Sequence, residues 1–565
     1  MAGGAHRELC SGERAVVLLF VFRVALSVPS SLFLHASALC LLSLAALFVE
    51  ISVEKSNSAL QRFKTRPGAS SGILLGATTL PSVMLSQLIQ MSRVLSVHQN
   101  GAGELAYLDM QYWTVSASCL GVLLFFLYLL ATSRKSWCSP FSQCSRELSF
   151  TYLCILLYMV NCYFGFTLKT DGSWFGSKVL YLIFHGAATA LLIQHILWKF
   201  PSCASIGEAL LVSSGMVLYF GDMLARTLTK LSMLLVPSKF NFISHGTHTE
   251  IATVIQGELL GLLLVPIFLK LTLEIWGYVR NTSTPPKIEM TALFYTSTIM
   301  VSVFLMPAWM NFVHNFGVHP LLWVLNFVFT SPLERLALCS YWICVICISV
   351  LRFYKISKQS KTERILLRKY YHLVAVLMFV PALIFQSSFL DLAFGAALMV
   401  FLLLEIIRVW QIWPLGKMVH QFMNAFTDHR DSEILIVSHF SLLLGCALPK
   451  WMSSGLFNDR PLAPFAGILS LGIGDTMASM VGYKYGVLRW SKAGKKTIEG
   501  TAAGITSVWV ACYILLPLLA SSGYILSQHW GSLLIAVTLS GLLEAYTAQL
   551  DNAFIPLVFY SLLCL

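Results

Sequence analysis

The run AAGITSVWVACYILLPLLAS, residues 502–521, holds twenty residues without one Asp, Glu, Lys or Arg. Runs of this kind recur along the chain. A bilayer core takes roughly 20 apolar residues per helix, and backbone polar groups inside it must be paired within the spanning structure. The runs are continuously apolar and do not alternate, which argues against a β-barrel. Of 565 residues only 11% are charged, against about 25% in a soluble domain. The mean hydropathy is +0.74. The expected fold is all-α: a polytopic transmembrane helical bundle of roughly fifteen spans. The first span is read near 15–33; with Arg23, Pro29 and no small-residue cleavage site, it is expected to be retained. The stretch 318–351 is open to being two segments.

The formal net charge of +12 fits loops that obey the positive-inside bias. Nucleic-acid binding is disfavoured, because the cations do not gather in one soluble domain. Fourteen cysteines are scattered, mostly in apolar runs. Cys344 and Cys347 have CxxC spacing but no second pair nearby, so they read as small packing residues. His245 and His248 lack a carboxylate partner in sequence and do not read as a metal site. Asn281-Thr-Ser is a glycosylation sequon, a weak topological hint. The basic loop Arg62, Lys64, Arg66 reads as a topology signal.

The chain divides near residue 352 into an N-terminal multi-span region, 1–351, and a C-terminal part, 352–565, where polar residues concentrate. The stretch 351–369 carries seven Lys/Arg and one Glu, and reads as a loop or an amphipathic helix on anionic lipid. Counting spans places loops 352–369, 408–432 and 484–500 on one face. Of seventeen Lys/Arg from residue 352 onward, fifteen fall in those loops, which assigns that face to the cytoplasm. Glu405, Asp428, Asp431, Glu433, Asp475, Glu499, Glu544 and Asp551 lie on it or within about two turns. An ionisable group inside a span costs at least roughly 2.5 kcal/mol, so convergence of this kind points to function.

Two stretches carry the chemistry. In GILSLGIGDTMASMVGYKYG, 467–486, glycines either let helices pack closely or break a helix to line a cavity. Asp475 sits in their midst, as a satisfied buried acid or as a metal ligand or base. In GVLRWSKAGKKTIEGT, 486–501, Arg489, Lys492, Lys495 and Lys496 precede Thr497-Ile-Glu-Gly-Thr501. Topology alone would explain the cations. The ending adds two hydroxyls, Glu499 and Gly500 at a helix start, where free N–H groups and the macrodipole hold phosphate; Thr497 or Thr501 would cap it. A Walker A loop is excluded: Gly494-Lys495 would need glycine where Arg489 stands, and Ser or Thr where Lys496 stands. Phosphoryl transfer needs cations on the phosphates and carboxylates for Mg²⁺. Asp475, Glu499 and Asp551 are the candidate metal ligands, since Mg²⁺ takes one or two carboxylates beside phosphate oxygens.

RKYYHL (368–373), LEIIR (404–408), DHRD (428–431), GIGDTMAS (472–479), KKTIEGT (495–501) and LLEAYTAQLDN (542–552) together resemble the polyprenol kinases, with the order and spacing of the dolichol kinase family. His429 departs from the pattern, standing where an acid is expected. The resemblance implies an endoplasmic reticulum enzyme that moves the γ-phosphoryl group of CTP to dolichol with a divalent cation, supplying dolichyl phosphate for glycosylation. It places CTP binding on 486–501, including Gly486, Gly494, Thr497, Gly500 and Thr501. On this reading Lys495 and Lys496, with Arg489 or Lys492, hold the triphosphate. Asp475 holds Mg²⁺ or polarises the hydroxyl, and Glu499 is the second metal or base candidate. Arg368, Lys369 and His372 stabilise the transferred charge. Two alternatives stand beside it: a cytidylyltransferase acting on a lipid phosphate, and a transporter whose buried acids form an ion path.

Overall fold

The computed structural model describes residues 2–55, 63–66, 68–97, 102–134, 144–167, 175–235, 249–280, 286–359, 364–424, 436–454, 460–490, 496–521 and 529–565. Among them there is no β-strand; Arg489 and Thr497 form an isolated antiparallel bridge. Eleven helices are long and apolar enough to cross a membrane, and four further apolar helices have 10–17 residues. The molecule is a helical membrane bundle.

Particular expectations shift in detail. The first helix runs Ala2–Leu26 and a new one starts at Phe33, so it begins well before the expected residue 15. The 318–351 stretch is two helices, Pro320–Thr330 and Pro332–Gln359. The second runs into the basic stretch read as a loop or an amphipathic helix, and the next helix starts at Arg364. The sequon, His245 and His248 lie outside the described residues. Cys344 and Cys347 are free and exposed rather than packed. Prolines 81, 266, 381, 449, 517 and 556 lie inside helices. Each lacks an N–H, a defect tolerated in membrane helices where neighbours re-pair the freed carbonyl.

Two compact units divide the chain. One contains Met1–Ala225 and Leu448–Leu565; the other contains Arg226–Phe240 and Thr247–Ala447. These packing units cut across the motif-based boundary near 352. In the first unit, helix Phe33–Lys55 packs on Cys144–Thr167, and Ala102–Arg134 on Phe175–Lys199. The closing helices pack on the opening ones: Trp530–Tyr546 against Ala2–Leu26, and Asp551–Leu563 against Ile73–Val97. The last contact includes a hydroxyl pair, Ser86 with Ser561 at 2.6 Å, and Gln87 donating to the Tyr560 hydroxyl at 3.1 Å. In the second unit, helix Glu250–Arg280 packs on Lys287–Ile299 and Ser387–Trp410. Its core is apolar and includes Val254, Val265, Phe294, Met306, Met310 and Leu392.

Among the described residues two π-helical stretches occur, Met300–Leu305 and Ile468–Asp475. Short π turns inside helices often mark functional sites. The second one ends on Asp475 and continues as helix Thr476–Tyr485.

Candidate active site

The site is built where helix Thr476–Tyr485 meets helix Ile498–Ser521. A Cβ on Gly500 would stand 2.6 Å from the Ala478 carbonyl oxygen and 3.0 Å from the Gly482 Cα. One on Gly504 would stand 3.1 Å from both the Ala478 Cβ and the Gly474 oxygen. Small residues at 474, 478 and 482 thus face small residues at 500 and 504, every four residues on each side. This spacing puts them on one helical face and lets the backbones touch. Close packing is the use these glycines serve.

Asp475 is buried, 2% exposed, and the Ser479 hydroxyl lies 3.5 Å from its Oδ1. Seven residues separate it from Gly482, about 10 Å of helix. At that higher level the chain leaves the helix at Gly486 and returns to start the next one. Ile498 donates its N–H to the Leu488 carbonyl at 2.8 Å, and Trp490 donates to the Lys496 carbonyl at 3.3 Å. Lys492, Gly494 and Lys495 lie outside the described residues.

Thr497 caps the second helix: its hydroxyl accepts the Gly500 N–H at 3.2 Å, as the N-cap expectation required. The Thr501 hydroxyl donates to the Thr497 carbonyl at 3.1 Å and accepts the Trp490 indole N–H at 2.9 Å. The Trp490 ring in turn packs on Tyr546 at 5.2 Å. Arg489 is exposed. The Glu499 carboxylate takes the Leu488 N–H, at 3.0 and 3.2 Å. It ties the two stems of the return together.

Lys496 donates to the Glu544 carbonyl, and its Nζ lies 3.5 Å from Asp551 Oδ2. Asp551 is the first residue of the last helix. Below Lys496, a small cavity is lined by Ser470, Gly474, Gly504, Ser540, Gly541 and Glu544, with apolar walls such as Val508 and Phe559. Among the described residues no three His, Cys, Asp or Glu form a group that could hold a metal ion. Asp475, Glu499 and Asp551 are therefore not a ready-made three-ligand cage. Hard carboxylate oxygens beside a lysine and a helix start fit Mg²⁺ brought in on a polyphosphate, which needs one or two protein ligands.

Lys369 and His372 belong to the second unit, in helix Arg364–Phe385. His372 is buried and Lys369 half-buried; the Arg368 side chain lies outside the described residues. Glu405 is held by Arg408 through two contacts of 2.8 and 2.6 Å and accepts the Ile436 N–H. That acid is a packing element. Asp428, Asp431 and Glu433 lie outside the described residues.

One reading is corrected. Arg66 is buried, 5% exposed. It donates to Glu208 at 2.5 Å and to the Ala548 carbonyl at 2.9 Å, three residues before Asp551. It is not a bare topology signal. The sequence held a signal for its partner: Ser205-Ile-Gly-Glu208 before an apolar run is a capping box. The structure contains it, with Glu208 N–H on Ser205 Oγ at 3.1 Å and Ser205 N–H on Glu208 Oε2 at 2.8 Å.

The family model described as dolichol kinase matches residues 177–447. That match includes RKYYHL, LEIIR and DHRD and ends before GIGDTMAS. Curated relatives reach further. Dolichol kinase EVAN of Arabidopsis thaliana is 59% identical, covering 98% of this chain and 98% of its own length. Dolichol kinase of Homo sapiens is 30% identical over 69% of this chain and 72% of its own. That of Saccharomyces cerevisiae is 33% identical over 44% and 45%. No solved structure matches. With a likeness at this level running from end to end, the chain belongs to the dolichol kinase family.

Proposed function

We propose that CTP is the nucleotide from which this kinase takes the phosphoryl group it adds to dolichol. We place the reaction at the cytoplasmic face of the endoplasmic reticulum membrane, where dolichyl phosphate enters glycosylation. The observation that carries the reading is the convergence at Lys496. Its ammonium lies against Asp551 and the Glu544 carbonyl, one residue before the cap of a helix N-terminus. An anionic triphosphate meets there a cation and the positive end of the helix macrodipole. Lys496 with Arg489, and Lys492 and Lys495 from the same loop, hold the phosphates.

Asp551 and Asp475 are the carboxylates we assign to the Mg²⁺–nucleotide. The ion, when bound, neutralises charge on the β- and γ-phosphates. Glu499 is assigned to the loop stems, because its oxygens are engaged by Leu488. The dolichol hydroxyl enters from the lipid side toward the cavity beside Gly474. Its oxygen attacks the γ-phosphorus, the bond to the β-phosphate's bridging oxygen breaks, and CDP leaves. Asp475, buried beside that cavity's wall, accepts or orients the hydroxyl proton.

Purified protein in detergent with labelled CTP tests this. Label from the γ position should enter the lipid, and label from the α position should not. The reverse outcome would make the protein a cytidylyltransferase; no transfer without compartments would favour transport. Asp475→Asn should lower transfer at least a hundredfold while leaving the thermal midpoint within a few degrees. Wild-type turnover in that variant would remove Asp475 from the mechanism.

A further inference from the structure

Helices Trp530–Tyr546 and Asp551–Leu563 are joined by four residues, Thr547 to Leu550. These four residues fix where Asp551 begins the last helix, and hence where it meets Lys496. Within the connector itself, the Gln549 N–H donates to the Thr547 hydroxyl at 3.1 Å. Backbone bonds also tie Thr547 to Leu543 and Leu550 to Ala553, and further anchors come from more than 300 residues upstream.

The Ala548 carbonyl accepts from Arg66 at 2.9 Å. The Leu550 N–H donates to Glu208 Oε1 at 2.7 Å. The Gln549 amide donates to the Ser70 carbonyl at 3.0 Å and to its hydroxyl at 2.7 Å, and its oxygen accepts from Ser205. All of these side chains are buried: Arg66 5%, Ser70 7%, Ser205 1%, Glu208 2% and Gln549 0% exposed. Gly72, at φ +62°, lies flat beneath the Gln549 amide, where a Cβ would stand 2.5 Å from Nε2. Glu208 is the hub. One oxygen closes its own capping box and the other takes both Arg66 and Leu550.

This arrangement is more than is needed to bury a turn. Two consecutive peptide groups are each held by a charged side chain, Arg66 and Glu208, and the Gln549 side chain between them is held by Ser70 and Ser205. Charge-assisted bonds of this kind are roughly twice as strong as neutral ones and fix direction as well as distance. Shifting Asp551 would require breaking several of them together.

We infer that Arg66, Glu208 and Gln549 are positioning residues for the nucleotide site, with the N-terminal region acting through the 547–550 connector to set Asp551 against Lys496. The inference rests on the reading of Asp551 as a carboxylate for the metal–nucleotide. It gives the opening helices a role in catalysis beyond anchoring the chain. A displaced Asp551 would weaken the hold on Mg²⁺–nucleotide and leave the apolar path for the lipid untouched.

The test compares Glu208→Gln, Gln549→Ala and Asp551→Asn in the full-length purified enzyme, titrating Mg²⁺, CTP and dolichol separately. Glu208→Gln keeps the shape but weakens the bonds to Arg66 and Leu550. Gln549→Ala removes the amide without touching an ion pair, so it serves where Glu208→Gln folds poorly. The expected result is a several-fold to tenfold rise in the Mg²⁺ requirement and in the KM for CTP, with the KM for dolichol unchanged. Asp551→Asn should show the same signature more strongly. Wild-type Mg²⁺ and CTP dependence in both network variants, with Asp551→Asn impaired, would overturn the inference and leave the catalytic reading standing. Activity lost only in proportion to folded protein, with every KM unchanged, would also overturn it. An unimpaired Asp551→Asn would overturn both.

Discussion

The two compact units bring glycines to helix contacts in different ways. In the unit holding the candidate site, several glycines meet backbone: Gly500 faces the Ala478 carbonyl, Gly76 the Gly207 carbonyl at 2.6 Å, and Gly121 the Gly186 carbonyl at 2.5 Å. In the other unit, Gly257 and Gly261 face the methionines Met310 and Met306, and Gly395 faces Ile255. A methionine side chain can rearrange, because it is unbranched and has three rotatable bonds. A carbonyl in a helix cannot, except by moving the helix. The first kind of contact fixes the distance between two helix backbones, because neither side can yield. The second gives cohesion without that precision. The site lies in the unit that has the stiffer contacts.

Gly500→Ala should have the largest effect of the substitutions that probe this contrast. The added methyl would stand 2.6 Å from a carbonyl, so the helices carrying Asp475 and Thr497 must part. Overpacking of this kind costs about 1–3 kcal/mol, and we expect at least a tenfold loss of transfer. Thr497→Ala comes next. Its hydroxyl both caps the helix and lies 2.9 Å from where a Cβ on Gly482 would be. Loss of the cap should cost about 1 kcal/mol and raise the KM for CTP, while Thr497→Ser should restore both.

Glu13→Gln probes the same stiffness through pH. Glu13 is buried, and burial, helped by the negative charge of Glu50, pushes its carboxyl up to about 8. Ser70 donates to it at 3.2 Å. Arg14 beside it is engaged by Glu50 at 2.7 Å and Glu54 at 2.5 Å. Between the ordinary carboxyl value of 4.5 and about 8, the folded state keeps a proton that the unfolded chain has released. Stability therefore falls as pH rises through that window and levels off above it. Thermal midpoints from pH 5.5 to 7.5 should slope downward in the wild type and flatten in Glu13→Gln. The smallest effect is expected for Gly257→Ala. Met310 Cε and Cγ, at 2.4 and 2.8 Å from the new Cβ, belong to an unbranched side chain that can change rotamer where a helix carbonyl cannot, and alanine favours the helix by up to about 1 kcal/mol. A midpoint within about two degrees of wild type is expected. If this change proves as damaging as Gly500→Ala, the contrast between the units fails.

The fold class was legible because twenty apolar residues in a row leave few alternatives. Thr497 was legible as a cap because capping is local, acting over three residues. The glycines around Asp475 were ambiguous between close packing and a broken helix; the segment stays helical through a π turn, and its glycines meet backbone. Glu499 was legible as an acid at a helix start, but not as a tie across the return. Its partner, the Leu488 N–H, sits across a chain reversal whose pairing the residue pattern does not announce. Arg66 was furthest from reach. Among neighbouring basic residues it looked like its neighbours, and only the packing of the closing helices on the opening ones reveals Glu208 and Ala548 beside it. Half of that arrangement, the Ser205–Glu208 capping box, was written in the local pattern; the other half depends on contacts between residues 482 apart.

The π-helical turn Ile468–Asp475 has a consequence for how this protein can vary. Such a turn closes its hydrogen bonds one residue later than an α-helix does, so it corresponds to a helix that has gained a residue without lengthening its flanks. Its natural unit of change is therefore insertion or deletion rather than replacement. Deleting one residue from 468–473 would let the segment rewind as ordinary α-helix. The flanking helices would keep their facing, because the wider π turn needs one residue more than an α-helix to sweep the same angle. What would be lost is the local widening of the backbone just before Asp475. A single lost codon would therefore change the surroundings of that acid while leaving both flanking helix faces in place.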